Sequence, residues 1–246
     1  MNFGGSRLGF WFRYPLGLPD RALSNKNVLV FYEDNGLYNG NPDPATDLWP
    51  VIQGREIALG MTPEFIVGYD NLPADLTKYA HIWDIGYNSP YIPGPHNPTS
   101  KLLSYLQAGG GFFLLGENSG FIYKDNTIET FVGVAGGGTV TVDESQDPLQ
   151  VYTVTVQPEF LIANQNNNLP LSAPGLFDAI GTGTPMTSSI YFPAPLWYPA
   201  VCWKTGSLTN APKGAIASVL DINFISDGEY QNLDFIDNII LTMNQR

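Results

Sequence analysis

The sequence is poor in cysteine, histidine and positive charge. Cys202 stands alone among 246 residues, which excludes an intrachain disulfide and a cysteine metal cluster. Of the two histidines, His81 reads as a strand residue beside Trp83. His96 lies in a loop with no cysteine or second histidine near it to share a metal. Lys and Arg number 11 against 23 Asp and Glu, a net charge of −12. Such a chain repels phosphate backbones, so nucleic acid is not an expected partner. Charged residues make up 14%, below the usual ~25%. No apolar run approaches the ~20 residues of a membrane span. Near Phe10 the apolar residues are broken by Arg13, Pro15 and Pro19, unlike a signal peptide.

What is present is unevenly placed. Residues 1–26 hold Arg7, Arg13, Arg21 and Lys26 against Asp20 alone, so the remaining 220 residues carry −15. The same segment contains Phe3, Phe10, Trp11, Phe12 and Tyr14. A basic, aromatic arm therefore precedes an acidic body. Arg and aromatic side chains dominate interface energies. Arg7, Phe10, Trp11, Phe12, Arg13 and Tyr14 are accordingly expected to form an assembly arm, with a homo-oligomer or larger assembly as the partner. The 26 Gly and 20 Pro point to many ordered loops, and with the scarcity of lysine suggest an extracellular surface or a virus particle.

From residue 27 strands and helices alternate. The short apolar runs Asn27–Glu33, Pro63–Val67, His81–Gly86 and Phe112–Leu115 read as strands. Thr46–Ala58 reads as a helix capped by Thr46, with Pro50 in its first turn. A second helix, capped by Thr99 or Ser100, ends at Gly109–Gly111, and a third spans Asn126–Val134. This alternation implies an α/β domain, 27–246, with a mostly parallel sheet and helices on both faces. Residues 139–213 form a β-rich extension, in which Thr139–Val142 and Val151–Val156 are expected to pair as a hairpin. Val201–Lys204 and Ala215–Asp221 follow as strands. Asn232–Met243 is the last helix, its stripe being Leu233, Ile236, Ile239, Ile240 and Met243.

The stretch GGGFFLLGENSGF, followed by a helix ending in VGVAGGG, resembles the central strand–turn–helix of the class I glutamine amidotransferase-like superfamily. The closing run GAIASVLDINFISDGEYQNLDFIDNIILTM is similar to the end of its non-catalytic branches, including trehalose-utilisation-type and gliding-motility-type auxiliary domains. Asp221, Asn223, Phe224 and Asn238 fit the polar and aromatic places of that pattern. The resemblance covers roughly 27–143 and 196–243 and implies a flavodoxin-like sheet. It would put cysteine at the centre of the turn Gly116–Gly120, with a histidine later in the chain. Asn118 stands at that centre, and both histidines lie upstream. An amide cannot form an acyl-enzyme, so no residue is expected to be catalytic.

Parallel α/β sheets bind ligands at the carboxyl ends of their strands. The residues expected there are Glu33, Asp34, Asp84, Tyr87, Glu117, Asn118, Ser119 and Asp221. Together they suggest an acidic, amide- and hydroxyl-rich pocket for a glycan, an amine or another small ligand. Glu117 paired with Glu33 or Asp221 is the candidate for a displaced hydrolase dyad. Asp34–Asp47 is rich in oxygen ligands and is the one candidate for calcium, although the EF-hand spacing is absent. No cofactor is otherwise expected.

Overall fold

The computed structural model describes residues 25–36, 38, 42–142, 151–162, 165, 167–191, 196–226, 228 and 230–244. The arm residues Arg7, Phe10, Trp11, Phe12, Arg13 and Tyr14 lie outside them. Lys26 already belongs to the folded body, its carbonyl accepting the amide of Thr62 at 2.8 Å.

Strand β1 (Asn27–Tyr32) leads through a wide turn over Pro44–Leu48 into α1 (Trp49–Ala58) and β2 (Thr62–Val67). β3 (His81–Asp84), α2 (Thr99–Gln107), β4 (Gly111–Gly116) and α3 (Ile122–Ala135) follow. The extension comprises β5 (Val140–Val142), β6 (Val151–Thr155), β7 (Asn168–Ser172), β8 (Phe177–Ile180), β9 (Thr184–Pro185), β10 (Ile190–Tyr191), β11 (Leu196–Trp197) and β12 (Ala200–Trp203). The chain closes with β13 (Ala215–Leu220), α4 (Asn223–Ser226) and α5 (Leu233–Asn244).

The main sheet runs β2-β1-β3-β4-β13-β12-β9. Its first five strands are parallel, and β12 and β9 are added antiparallel. Both faces are covered, which is why β3, β4 and β13 are buried at every position and are, taken together, mostly apolar. Alternate residues serve opposite faces. Val30, Trp83, Phe113 and Val219 pack with Ile52 of α1 and Ile236, Ile239 and Met243 of α5. Phe31, Ile82, Phe112 and Ile216 pack with Leu106 of α2 and Ile128, Phe131 and Val132 of α3. Leu233 is exposed, so the stripe of α5 begins at Phe235.

The expected hairpin between 139–142 and 151–156 does not form. β5 pairs with β8, and β6 pairs with β7. Val140 and Val142 join the α2–α3 side of the sheet, whereas Val154, Leu169 and Leu171 join the α1–α5 side. Strands committed to opposite faces cannot share a ladder. Helix starts also shift. Asp43, rather than Thr46, caps the turn before α1, its Oδ1 accepting the amides of Ala45 and Thr46. Asn97 Oδ1 accepts the amide of Thr99 at the start of α2. α3 begins at Ile122, a full turn before Asn126.

At the amino end of the sheet, Glu56 of α1 is buried. Its Oε1 accepts Trp83 Nε1 at 2.7 Å and faces His81 Nε2 at 2.6 Å, while His81 Nδ1 faces Asn244 Oδ1 of α5 at 3.0 Å. One carboxylate thus ties helices α1 and α5 to β3. Each buried donor left without an acceptor costs about 1–3 kcal/mol. Glu56→Ala is therefore expected to destabilise the fold by about 2–5 kcal/mol in urea unfolding, with Glu56→Gln, which keeps one acceptor, costing less.

Candidate functional site at the carboxyl ends of the strands

β4 ends at Gly116, and the chain turns through Glu117 and Asn118 into a tight helical turn over Ser119–Phe121 that runs on into α3. A nucleophile elbow holds its central residue in a strained backbone conformation. Asn118 instead has ordinary extended angles, φ −70 and ψ 176. Its side chain is a cap: Oδ1 accepts the amide of Gly120 at 3.0 Å. Nδ2 donates to Glu117 Oε1 at 3.0 Å and to the carbonyl of Ala173 at 3.2 Å.

Glu117 is 2% exposed. Its Oε2 accepts the amide of Ile222 at 2.7 Å, and its Oε1 accepts the amide of Asn118 at 3.1 Å. Burial and the neighbouring carboxylates of Asp221 and Asp125 push its carboxyl well above the usual range, against the pull of those two amides. Asp221 is also buried. Its Oδ2 accepts the amide of Ser172, and its Oδ1 accepts that of Asn223, both at 2.7 Å.

A strap from the extension, Ser172–Leu176, crosses this end of β4 and β13. Asn223 Nδ2 donates to the carbonyl of Ser172 at 3.0 Å, and the amide of Gly175 donates to the carbonyl of Leu220 at 2.7 Å. A Cβ on Gly175 would stand 2.3 Å from the carbonyl oxygen of Glu117, so only glycine permits this approach. Ala173 takes φ +54, a left-handed conformation costly for a residue with a Cβ. Asn238 of α5 secures the extension elsewhere, its Oδ1 accepting the amide of Ile162 at 3.1 Å.

The structure brings Glu117, Asn118 and Asp221 together and closes them over. A ligand seated on them would have to displace the strap. Glu33 is apart from this cluster: its Oε2 accepts the amide of Tyr69 at 2.7 Å, and its carbonyl accepts Ser89 Oγ at 2.6 Å. Asp34 is exposed and accepts the amide of Gly36 in a turn. Tyr87 is buried, its hydroxyl donating to the carbonyl of Pro42 and its ring standing against Tyr38 and Phe121. Ser119 opens the helical turn. Asp84 is buried beneath a second network, accepting Lys124 Nζ at 2.5 Å and the Tyr91 hydroxyl at 2.6 Å on one oxygen and the amide of Gly86 on the other. Burial pushes the Lys124 ammonium down, with Asp84 opposing.

Lys124, Asp125 and Tyr91 were not expected from the sequence. The signal that could have found Lys124 and Asp125 is their place one turn after Gly120, where a helix opening beside a strand end faces back over the sheet. Cys202 in β12 is no displaced nucleophile, since burial pushes its thiol up to about 12. Of the oxygen-rich loop, Asp43 caps its own turn and Asp47 Oδ2 accepts the amide of Asp43. Among the described residues, no group of three or more His, Cys, Asp or Glu is placed to hold a metal ion, and no helix is long and apolar enough to cross a membrane.

The raised carboxyl of Glu117 has a measurable consequence. The folded state holds that proton more tightly than the unfolded chain does. The unfolding free energy therefore falls as pH rises from the ordinary carboxylate range through the folded-state value. Glu117→Gln is expected to remove this slope. In urea unfolding at a series of pH values, the native chain should lose stability relative to the variant as pH rises, with the smallest difference under acid conditions.

No family model matches the sequence, and no curated protein matches it. Among solved structures, the chain is similar to the mmIFT52 N-terminal domain, at 12% identity over 86% of this chain and 93% of that one, with a TM-score of 0.58. It is similar to a putative ThuA-like protein from Bacteroides uniformis, at 14% identity over 94% of each chain, with a TM-score of 0.52. It is also similar to an exo-β-1,4-mannosidase from Opitutaceae bacterium strain TAV5, at 10% identity and a TM-score of 0.54, where 88% of this chain spans 35% of the other. At such identities the likeness is one of fold alone, an α/β architecture with a flavodoxin-like, mostly parallel sheet, which is the fold that the resemblance to class I glutamine amidotransferase-like proteins implies.

Proposed function

We propose that this chain is a non-catalytic structural or assembly subunit that associates with copies of itself through its N-terminal arm. The observation that carries the non-catalytic part is the employment of Asn118. Its amide is spent on Glu117, Gly120 and Ala173 beneath the strap. The residue at the centre of the turn is a structural cap, and its chemistry offers neither a nucleophile nor a base. The paired carboxyls Glu117 and Asp221 are 2% and 0% exposed, so they are not displayed to a substrate.

The assembly part rests on composition. Five aromatic and four basic side chains in residues 1–26 precede a body of −15. Rings of this kind bury well in a neighbour's apolar surface, and arginines pair with its carboxylates. Light scattering on the full chain is expected to give a mass above the 26.9 kDa of one copy. That mass should fall to a single copy on deletion of residues 1–24, or on Trp11→Ser with Phe12→Ser in the full chain. Equal masses in all three proteins would remove the arm from the account. Glutamine and simple esters are expected to turn over no faster than in buffer; turnover that Asn118→Ala abolishes would overturn the non-catalytic reading.

A further inference from the structure

A cavity of about 230 Å³ lies outside the strand-end cluster, between the outer face of α3, the start of α2 and the chain around Tyr91. Residues 123, 126, 127 and 130 of α3 recur at three- and four-residue spacing, so they share one side of that helix. This side is polar and aromatic, unlike the side carrying Ile128 and Val132 into the core.

The floor is built and held. The Tyr91 hydroxyl donates to Asp84 at 2.6 Å, and the Tyr91 amide donates to Thr127 Oγ1 at 3.1 Å. Thr127 Oγ1 in turn donates to the carbonyl of Tyr123 at 3.1 Å. The Tyr91 ring meets Tyr69 edge-on at 5.3 Å and Phe131 at 6.0 Å, and the Lys124 ammonium stands 4.9 Å from its centre. A ring fixed on so many sides gives the groove a pre-organised floor that a ligand resting on it does not have to order.

The rim is open. Tyr123 is 61% exposed. Asn126 and Thr130 are exposed on the same helix, and Thr99 faces them from the first turn of α2. Among the described residues, the side chains of Asn126, Thr130 and Thr99 make no hydrogen bond to protein. An amide and two hydroxyls therefore offer donors and acceptors together at one cavity. No Lys, Arg, His, Asp or Glu lines it, although the chain as a whole carries −12. An anion would find no cation there, and a cation would find no carboxylate.

We propose that this groove binds one ring of a neutral carbohydrate. A pyranose presents an apolar face of C–H groups, which suits the Tyr123 ring, and a rim of hydroxyls that both donate and accept, which suits Asn126, Thr130 and Thr99. The cavity is smaller than the ~300–1,000 Å³ of drug-sized sites. It takes a single terminal sugar, the rest of a glycan running out over the surface. Few contacts and an open rim give a dissociation constant of order millimolar. This inference stands apart from self-association through the arm, because neither the groove nor its test involves residues 1–24.

The test is saturation-transfer NMR on the full chain with three neutral probes: methyl α-glucopyranoside, methyl β-galactopyranoside and the methyl β-glycoside of N-acetylglucosamine. Ring protons of at least one probe are expected to receive saturation. Tyr123→Ala, at an exposed position whose unchanged melting temperature serves as the folding control, is expected to weaken that probe at least about fivefold. Asn126→Ala combined with Thr130→Val is expected to do the same. Absence of transfer to all three probes would overturn the proposal. So would a weakening below about fivefold in the Tyr123 variant, which would place the sugar elsewhere on the chain.

Discussion

The carboxyl of Glu117 joins parts of the chain that are far apart in sequence. Its two oxygens take the amide of Ile222, just past the end of β13, and both the backbone and side-chain amides of Asn118, just past the end of β4. Burying a carboxyl is expensive unless its oxygens are hydrogen-bonded. Here three donors offset that cost, while Asp221 and Asp125 nearby add repulsion that a proton on Glu117 relieves. With the ends of β4 and β13 held together, Asp221 and Asn223 can grip Ser172 from one side as Asn118 reaches Ala173 from the other. The strap, the cap of α3 and the exit of β13 are thus consequences of one buried acid.

A parallel sheet whose strand order reverses between β1 and β3 leaves a crevice at their carboxyl ends, where such folds ordinarily receive ligands. In this chain that crevice is packed with rings. Tyr38 and Tyr87 stand edge to face at 5.2 Å, and Tyr69 meets both Phe31 and Tyr91. Burial pushes the Tyr38, Tyr69, Tyr87 and Tyr91 hydroxyls up, and all four donate to protein oxygens or share a proton with Ser89. The Lys124–Asp84 pair below them adds direction rather than net stability, because desolvating two charges offsets most of their attraction. What it fixes is where the first turn of α3 sits over β3, and hence where Tyr91 and the groove on the outer face of that helix lie.

The sequence reveals the strands of the sheet well, since a strand covered on both faces is buried at every position and mostly apolar, as β4 and β13 are, while His81 and Asp84 at the two ends of β3 are buried with polar partners. It reveals their partners poorly. The alternation in Val140–Val142 and Val151–Thr155 marks both as strands but says nothing of which face each will cover, and they cover opposite ones. The missed first turn of α3 has a related cause. Tyr123, Lys124, Asp125 and Asn126 look like a polar loop until Asp84 is known to lie within reach of Lys124. Asp221, Asn223 and Asn238 could be singled out by position, but their partners are backbone groups of the extension, and backbone groups leave no trace in a sequence. The turn at Asn118 was legible as chemistry, through the missing nucleophile, and illegible as geometry, because only its backbone angles identify it as a cap.

Charge bears on the proposed self-association in a way that neither half of the chain displays alone. Seven of the 11 basic residues fall among the described residues, and five of those are already engaged within the body. Arg55 is bound to Asp237, Lys124 to Asp84, Lys204 to Glu159 and Lys101 to the carbonyl of Leu72, while Lys78 lies over the Tyr79 ring. The carboxylates outnumber what these cations can balance, so the surface of one body repels that of another at distances within a Debye length. Apolar contact alone would have to overcome that repulsion. In the proposed assembly that role falls to the arginines at 7, 13 and 21, in a segment of +3 that precedes a body of −15. Charge would then select where copies meet, and aromatic burial would set how firmly they hold.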